Sequence, residues 1–139
     1  SSTTGLRAPT ITRTRFVVGT TANTDFTAND ANAQIDVEIT FDEQVTVTGS
    51  PQLTVTNNDA SGGGYGNLTL AYVSADSTAN QLRFRKTSAG IGNTDVLTVS
   101  TLALNGGTIN DTAAAAAGNT VAATLTYASG VAVSKTVSS

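Results

Sequence analysis

The chain has 139 residues, of which 39% are hydrophobic and only 12% charged, and its net charge is −3. Histidine, cysteine, methionine and tryptophan are absent, which excludes a thiol nucleophile, a disulfide framework and the side chain that titrates near neutrality. The length suits one domain, the acidic balance argues against nucleic-acid binding, and no apolar run approaches the roughly 20 residues of a membrane span.

The first predicted strand is TITRTRFVV, residues 10–18, whose polar and apolar positions do not sort cleanly onto two faces. Threonine, of which the chain has 26, suits a pleated surface that is half exposed to water. We interpret this segment as an edge strand. Arg13 and Arg15 are then the charges that edge strands carry against unwanted pairing, and contact with an acidic partner is the alternative.

The segment GTTANTDFTANDANA, residues 19–33, is expected to form a loop with at most a short helical turn. Four of its side chains supply the hard oxygens that calcium prefers, although the regular spacing of a helix-loop-helix calcium site is missing. These candidate metal ligands are Asp25, Asn29, Asp30 and Asn32. An ordinary loop is the favoured interpretation, calcium is the alternative, and no other cofactor is expected.

Period-two alternation dominates the rest of the chain, and it is clearest in IDVEITF, residues 35–41, where apolar and polar side chains point to opposite faces. Seven further segments share this pattern: QVTVTG, PQLTVTN, NLTLAYV, QLRFRKT, DVLTVSTLAL, TVAATLTYA and GVAVSKTV. Turn-forming residues separate them, so the sequence predicts an all-β antiparallel sandwich or barrel of about seven to nine strands. The expected core is Ile35, Val37, Ile39, Phe41, Leu53, Val55, Leu70, Leu82, Phe84, Leu125 and Tyr127.

An acidic cluster lies on and after the first clear strand, and paired carboxylates suggest acid-base chemistry or a calcium site. Its members are Asp36, Glu38, Asp42 and Glu43. Alternation places Asp36 and Glu38 on the outward face, where exposure to water keeps the pKa of a carboxylate near its usual value. We therefore expect a solvated face and no general acid.

The one basic cluster is Arg83, Arg85 and Lys86 in QLRFRK. Alternation places both arginines on the solvent face, opposite Leu82 and Phe84. They are expected to lie on a solvated face paired with the nearby acidic strand, with the binding of an acidic partner as the sharper alternative.

Tyr65 lies in the loop SGGGYG and is a further candidate contact residue. An aromatic side chain at a flexible hairpin tip is a natural contact point in surface recognition. An ordinary long hairpin loop explains the same residues, and both interpretations remain open at this point.

The stretch LNGGTINDTAAAAAGN, residues 104–119, resembles a ligand loop at first sight. A phosphate-binding loop would need a helix and a lysine after the glycines, and neither follows. Asn105-Gly106 instead predicts a tight turn, Asp111 and Asn119 can bind nearby backbone amides, and the alanine run is long enough for about one helical turn. We interpret this stretch as a turn.

No constellation of residues indicates catalysis, and the chain is not expected to be an enzyme. Serine and threonine are abundant, but no histidine is present to activate them as nucleophiles. Activation by Lys86 or Lys135 has no support in their spacing.

Four segments occur in the same order and with similar spacing in a known family: VEITFDEQVTVTGSPQLTV, LAYVSADSTANQLRFRKTSAG, NTDVLTVSTLALNGGTINDTA and AGNTVAATLTY. Through them, residues 35–127 resemble the bacterial immunoglobulin-like repeats of large surface adhesins. The resemblance implies an immunoglobulin-like β-sandwich that serves as a stalk, spacer or binding module without fixed catalytic residues. The same fold is common on phage capsids and tails, and the alanine run is an insertion relative to the family pattern.

The expected organisation is an N-terminal arm and edge strand (1–34), the sandwich core (35–128) and a C-terminal strand or tail (129–139). Such extensions on a repeat suit a self-contained protein that docks onto its neighbours by its arms. We expect a virion structural or decoration protein on capsid or tail subunits. The alternative is an extracellular adhesin repeat on the cell surface. A homo-oligomer or lattice is expected, without nucleic acid or membrane insertion.

Overall fold

The computed structural model describes residues 7–18, 21–22, 34–87 and 89–138. Within them the chain forms ten strands, one single-turn α-helix and one 3₁₀ turn at Ser74–Asp76. The strands are β1 (Ile11–Val18), β2 (Thr21–Ala22), β3 (Ile35–Phe41), β4 (Val45–Thr48), β5 (Gln52–Asn57), β6 (Leu68–Tyr72), β7 (Gln81–Lys86), β8 (Val96–Ala103), β9 (Thr108–Asp111) and β10 (Ser134–Thr136). The α-helix, α1, spans Thr112–Ala116.

The larger sheet has eight strands in the order β10-β8-β5-β6-β7-β3-β1-β2, and the smaller sheet pairs β4 with β9. Every pair of neighbours is antiparallel. The expected all-β architecture is therefore confirmed. The immunoglobulin-like arrangement remains a prediction.

The core is built from alternate residues of the strands, as the period-two pattern predicts. Along β3, the inward side chains of Ile35, Val37, Ile39 and Phe41 are at most 1% exposed. Nine of the eleven expected core residues are buried, and the other two, Leu125 and Tyr127, are partly buried against the core. Removing this apolar surface from water stabilises the fold by about 25 cal/mol per Å².

β1 departs from simple alternation because its pairing with β3 shifts between Ile11 and Arg13. Such a bulge changes which side chains face inward. Ile11 and Phe16 are buried in the core while Arg13 faces outward. The interpretation of β1 as an edge strand was wrong in detail, because β1 lies between β3 and the short strand β2.

The turn at Asn105-Gly106 is confirmed, since φ is positive at both residues (51° and 81°) and the Gly107 amide donates to the Leu104 carbonyl over 2.8 Å. Positive φ at both central residues characterises a type I′ turn. The turn carries the chain from β8 in the larger sheet to β9 in the smaller one. The prediction that residues 104–119 contain only a turn was therefore incomplete, although α1 confirms the expected helical turn.

Two of the connections between the sheets, the one from β4 to β5 and the one from β8 to β9, touch at Gly107. A Cβ atom there would lie 2.2 Å from the carbonyl oxygen of Thr48. We expect Gly107→Ala to lower the free energy of unfolding by at least about 1–3 kcal/mol, because backbone must move to relieve the clash. Urea unfolding followed by circular dichroism would measure this loss.

Gly66→Ala is the matched control for this change. A Cβ atom at Gly66 would have no neighbour within 4 Å, and the backbone φ lies outside the left-handed region. Its unfolding free energy should stay within about 0.5 kcal/mol of the parent chain. Equal effects at the two glycines would contradict the close approach of the two connections.

The segment TVAATLTYA, residues 120–128, was predicted as one strand but does not form a continuous ladder. Ala122 bridges Asn110 in antiparallel fashion and Tyr127 bridges Ile11 in parallel fashion. The segment pairs with two different partners at single residues and joins neither sheet as a strand. Alternation alone therefore predicted a strand that does not form. The Tyr127 hydroxyl donates to the Ser100 carbonyl over 2.6 Å, and burial raises the pKa of this tyrosine to about 12.

Candidate functional site

The acidic side chains of β3 are buried, and the prediction that they form a solvated face was wrong. Asp36 is 0% and Glu38 7% exposed. Alternation correctly predicted that both side chains point away from the apolar core. Arginines from the neighbouring strands β1 and β7 nevertheless cover that face. We call Asp36, Glu38, Arg13, Arg15, Arg83 and Arg85 the charged ladder.

On the β7 side of the charged ladder, both arginines contact Asp36. Arg83 Nη1 lies 2.9 Å from Asp36 Oδ2, while Arg85 Nε and Nη2 lie 2.9 Å from Oδ1 and Oδ2. Arg85 also donates to Asp76 over 2.7 Å. Hydrogen bonds to Asp36, and then to Asp76, raise the pKa of Arg85 above its ordinary value. The expected pairing of the basic and acidic strands is confirmed.

On the β1 side, the two arginines contact Glu38. Arg15 Nε donates to Glu38 Oε1 over 2.9 Å, and Arg13 Nη2 lies 3.6 Å from the same oxygen. The side chain of Arg13 is 50% exposed and that of Arg15 31% exposed. Contact with an acidic partner remains a prediction for these two residues.

The charged ladder is suited to holding three strands together and not to proton transfer. Asp36 accepts three hydrogen bonds from two guanidinium groups, so both of its carboxylate oxygens are engaged. A general acid needs a carboxyl group that is free to reach substrate. The geometry therefore favours a structural role.

Asp42, the third acidic candidate, is engaged at the start of β1. Its carboxylate accepts from the Thr10 amide over 2.9 Å, from the Thr10 hydroxyl over 3.0 Å, and from Arg7. Burial acts to raise the pKa of Asp42, but the hydrogen bonds from Thr10 and the charge of Arg7 hold it below its usual value. This carboxylate anchors the segment that leads into β1.

Asp95, which neither composition nor alternation singles out, organises the loops between β5 and β6 and before β8. Its side chain is fully buried and accepts from the Gly92 amide over 2.8 Å, the Ser61 amide over 2.9 Å and the Asn57 side chain over 3.1 Å. Burial alone would raise its pKa, but these hydrogen bonds lower it to about 2. The signal in the sequence was an aspartate directly after the glycine-rich GIGNT.

The lowered pKa of Asp95 predicts acid sensitivity. An aspartate whose folded pKa is about 2, against an ordinary 3.8, stabilises the fold above pH 3.8 and loses that contribution as the pH falls towards 2. We expect the unfolding free energy to decrease over this range, with a shallower decrease in Asp95→Asn. Urea titrations at several pH values would test this, and identical pH slopes for the two chains would contradict it.

The Tyr65 ring is half-buried and rests against bare glycine backbone. A Cβ atom on Gly63, Gly90 or Gly92 would come within 2.5 to 2.9 Å of the ring. Asp59 accepts from the Tyr65 amide over 3.1 Å, which fixes the loop further. The ring is therefore held in place, unlike the flexible tip expected from the sequence. Its role in recognition remains a prediction.

Two cavities lie near these elements. One, of about 420 Å³, is lined by Ala60, Ser61, Gly63, Tyr65, Gly92, Asn93 and Thr94. The other, of about 410 Å³, is lined by Glu43, Gln44, Asp111, Thr112, Ala113 and Ala116. The second brings together two acidic residues that are distant in the sequence, and Asp111 was expected only to bind a backbone amide.

The candidate calcium ligands Asp25, Asn29, Asp30 and Asn32 lie outside the described residues. In the part of the chain that the structure describes, no three acidic, histidine or cysteine side chains are grouped closely enough to hold a metal ion. Within the same residues, no helix has the length and apolar character needed to cross a membrane. Comparison with protein-family models, curated proteins and solved structures returns no match for this chain.

Proposed function

We propose that this chain is a non-enzymatic structural or binding module on an exterior surface. The most direct form of the proposal is a phage virion structural or decoration protein that docks on capsid or tail subunits. The main support is that three of the four buried carboxylates of the described residues, those of Asp36, Glu38 and Asp95, bind arginines or backbone amides. Groups engaged in this way hold strands and loops together and leave little capacity for proton transfer.

A second support is the uncharged surface of the smaller sheet. The hydroxyls of Thr48 and Thr108 in this sheet lie 2.6 Å apart, and the hydroxyl of Thr46 lies 2.8 Å from that of Thr112 at the start of α1. Hydroxyls that satisfy one another cost less to remove from water than unpaired ones. Without charges, such a face can pack against other copies of the chain with little repulsion, which suits a repeated lattice.

A third support is the open edge at β10, which has a single strand neighbour in the larger sheet of the described residues. Open edges can accept a strand from a partner. The exposed Ser134 and Thr136 lie on this edge, and docking there would extend the sheet without disturbing the core.

The alternative is a stalk or binding repeat of a bacterial cell-surface adhesin, supported by the resemblance of residues 35–127 to such repeats. The two settings differ in what surrounds the chain. A decoration protein occurs among genes for capsid and tail subunits, whereas an adhesin repeat belongs to one very long reading frame with similar repeats.

Fractionation tests the proposal directly. Antibodies raised against the purified chain would be used to follow it in lysates separated by density gradient into virus particles, cell envelopes and soluble protein. We expect the signal in the particle band. Signal confined to the envelope would favour the adhesin alternative, and signal confined to the soluble fraction would contradict both.

A truncation adds a test of docking by the N-terminal arm. Removing residues 1–18 would delete β1 and its buried Ile11, Phe16 and Val17, so loss of binding would then report loss of the fold. Removing residues 1–6 keeps Arg7 and its contact with Asp42. We expect this shorter truncation to keep the circular dichroism spectrum while binding less to particles. Undiminished binding would show that docking does not use residues 1–6.

A further inference from the structure

The cavity next to α1 contains a buried carboxylate oxygen without a donor. Asp111 is 1% exposed, and its Oδ1 accepts from the Ala113 amide over 3.1 Å as the N-cap of α1. Its Oδ2 is buried and receives no hydrogen bond from the described part of the chain. A buried charged oxygen without a partner is costly, so a donor from outside would be bound favourably.

The other residues of the cavity indicate what could supply that donor. Glu43 brings a second carboxylate, and the side chains of Ala113 and Ala116 are methyl groups. Calcium usually takes six to eight oxygen ligands, and the described residues group no three acidic side chains closely enough for a metal. An occupant with a cationic head and an apolar stem fits this combination better.

We propose that the cavity binds the ammonium end of a lysine side chain from a protein partner. Asp111 is the principal acceptor, Glu43 is the second carboxylate, and Ala113 and Ala116 contact the methylene stem. The net charge of −3 of the whole chain adds long-range attraction for such a group. The proposal rests on the proposed function, because the lysine comes from a docking partner. The chemistry of the cavity itself does not depend on that function.

The probe for this site is n-butylammonium, which has the head and stem of a lysine side chain. Titration of the ¹⁵N-labelled chain should shift the Ala113 amide resonance in a saturable way, because this amide donates to Asp111. n-Butanol has the same stem without the charge, and it should leave this resonance nearly unchanged.

Asp111→Asn is the test variant, because asparagine caps helices as well as aspartate does and so preserves α1. Loss of one charged hydrogen-bond acceptor should weaken butylammonium binding by about 10-fold or more. Glu43→Gln should weaken it by a smaller factor. Asp76→Asn is the control, since this side chain is 48% exposed and contacts Arg85 elsewhere, and it should leave the titration unchanged.

Equal binding by the parent chain and Asp111→Asn would overturn the proposal, as would equal shifts with n-butanol. A stronger saturable response of the same amide to calcium would overturn it in favour of a metal site. If butylammonium binding depends on Asp111 but the chain is absent from virus particles, the cation site in the cavity is supported and the decoration role is refuted. A chain found on particles without a butylammonium response would refute the lysine site alone.

Discussion

Replacing Asp36 by alanine is expected to lower the free energy of unfolding by about 3–5 kcal/mol, because it removes the most deeply buried carboxylate that two largely buried arginines contact. The Asp36 side chain is 1% exposed, and those of Arg83 and Arg85 are 13% and 26% exposed. Water cannot fully replace the lost partner at these positions. The two guanidinium groups, which lie side by side along one face of β7, would also repel each other.

Urea unfolding followed by far-ultraviolet circular dichroism would measure this loss. The matched control is Asp76→Ala, which removes another carboxylate that contacts Arg85 but whose side chain is 48% exposed. Its loss should cost about 0–1 kcal/mol, as for other exposed ion pairs. Similar costs for the two aspartates would show that burial of the charged ladder does not matter for stability.

The second large effect is expected at Phe84, which is 0% exposed. It lies opposite Val37 on β3 and Tyr72 on β6, and the ring centroids of Tyr72 and Phe84 are 5.8 Å apart. Phe84→Ala should lower the unfolding free energy by about 3–5 kcal/mol, since it removes apolar contacts and leaves a cavity at the junction of β6 and β7.

Phe84→Leu is the control for this position, because it keeps most of the volume and should cost about 1.5 kcal/mol or less. The same urea titration measures both variants. A loss below about 1 kcal/mol for Phe84→Ala would contradict the placement of this ring in the core.

Alternation predicted the strands well where two strands pair without a shift in register, as β3 and β7 do with each other. The inward residues of these two strands were identified correctly from the sequence. The pattern was less informative where the pairing shifts: β8 buries Leu97, Val99 and Leu102 because its register against β5 changes between Leu53 and Val55. A bulge depends on the partner strand, which the local sequence does not specify.

The charged ladder shows a second limit of the same kind. Period two places Asp36 on the outer face of β3, but its exposure depends on which strands lie beside it. The register sets Arg85 opposite Asp36, and Arg83 and Arg15 opposite Glu38. Those pairings join residues far apart in the chain, so they could not be read from spacing.

The structural role of Asp95 was not predicted, and Asp111 was expected only to bind a backbone amide, for a different reason. Their surroundings come from loops and strand ends that meet only in the folded chain, as when Asn57 and Ser61 reach Asp95. An aspartate beside a glycine-rich turn indicates backbone capping in general. It does not predict which distant amides are capped or whether an oxygen stays unpaired.

The structural role of the charged ladder is tested most directly by a double-mutant cycle on Asp36 and Arg85. The unfolding free energies of Asp36→Ala, Arg85→Ala, the double variant and the parent chain would be measured under the same conditions. A favourable coupling of about 1–3 kcal/mol is expected for such directly bonded groups. Coupling within about 0.5 kcal/mol of zero would contradict a role for these charges in holding β3 and β7 together.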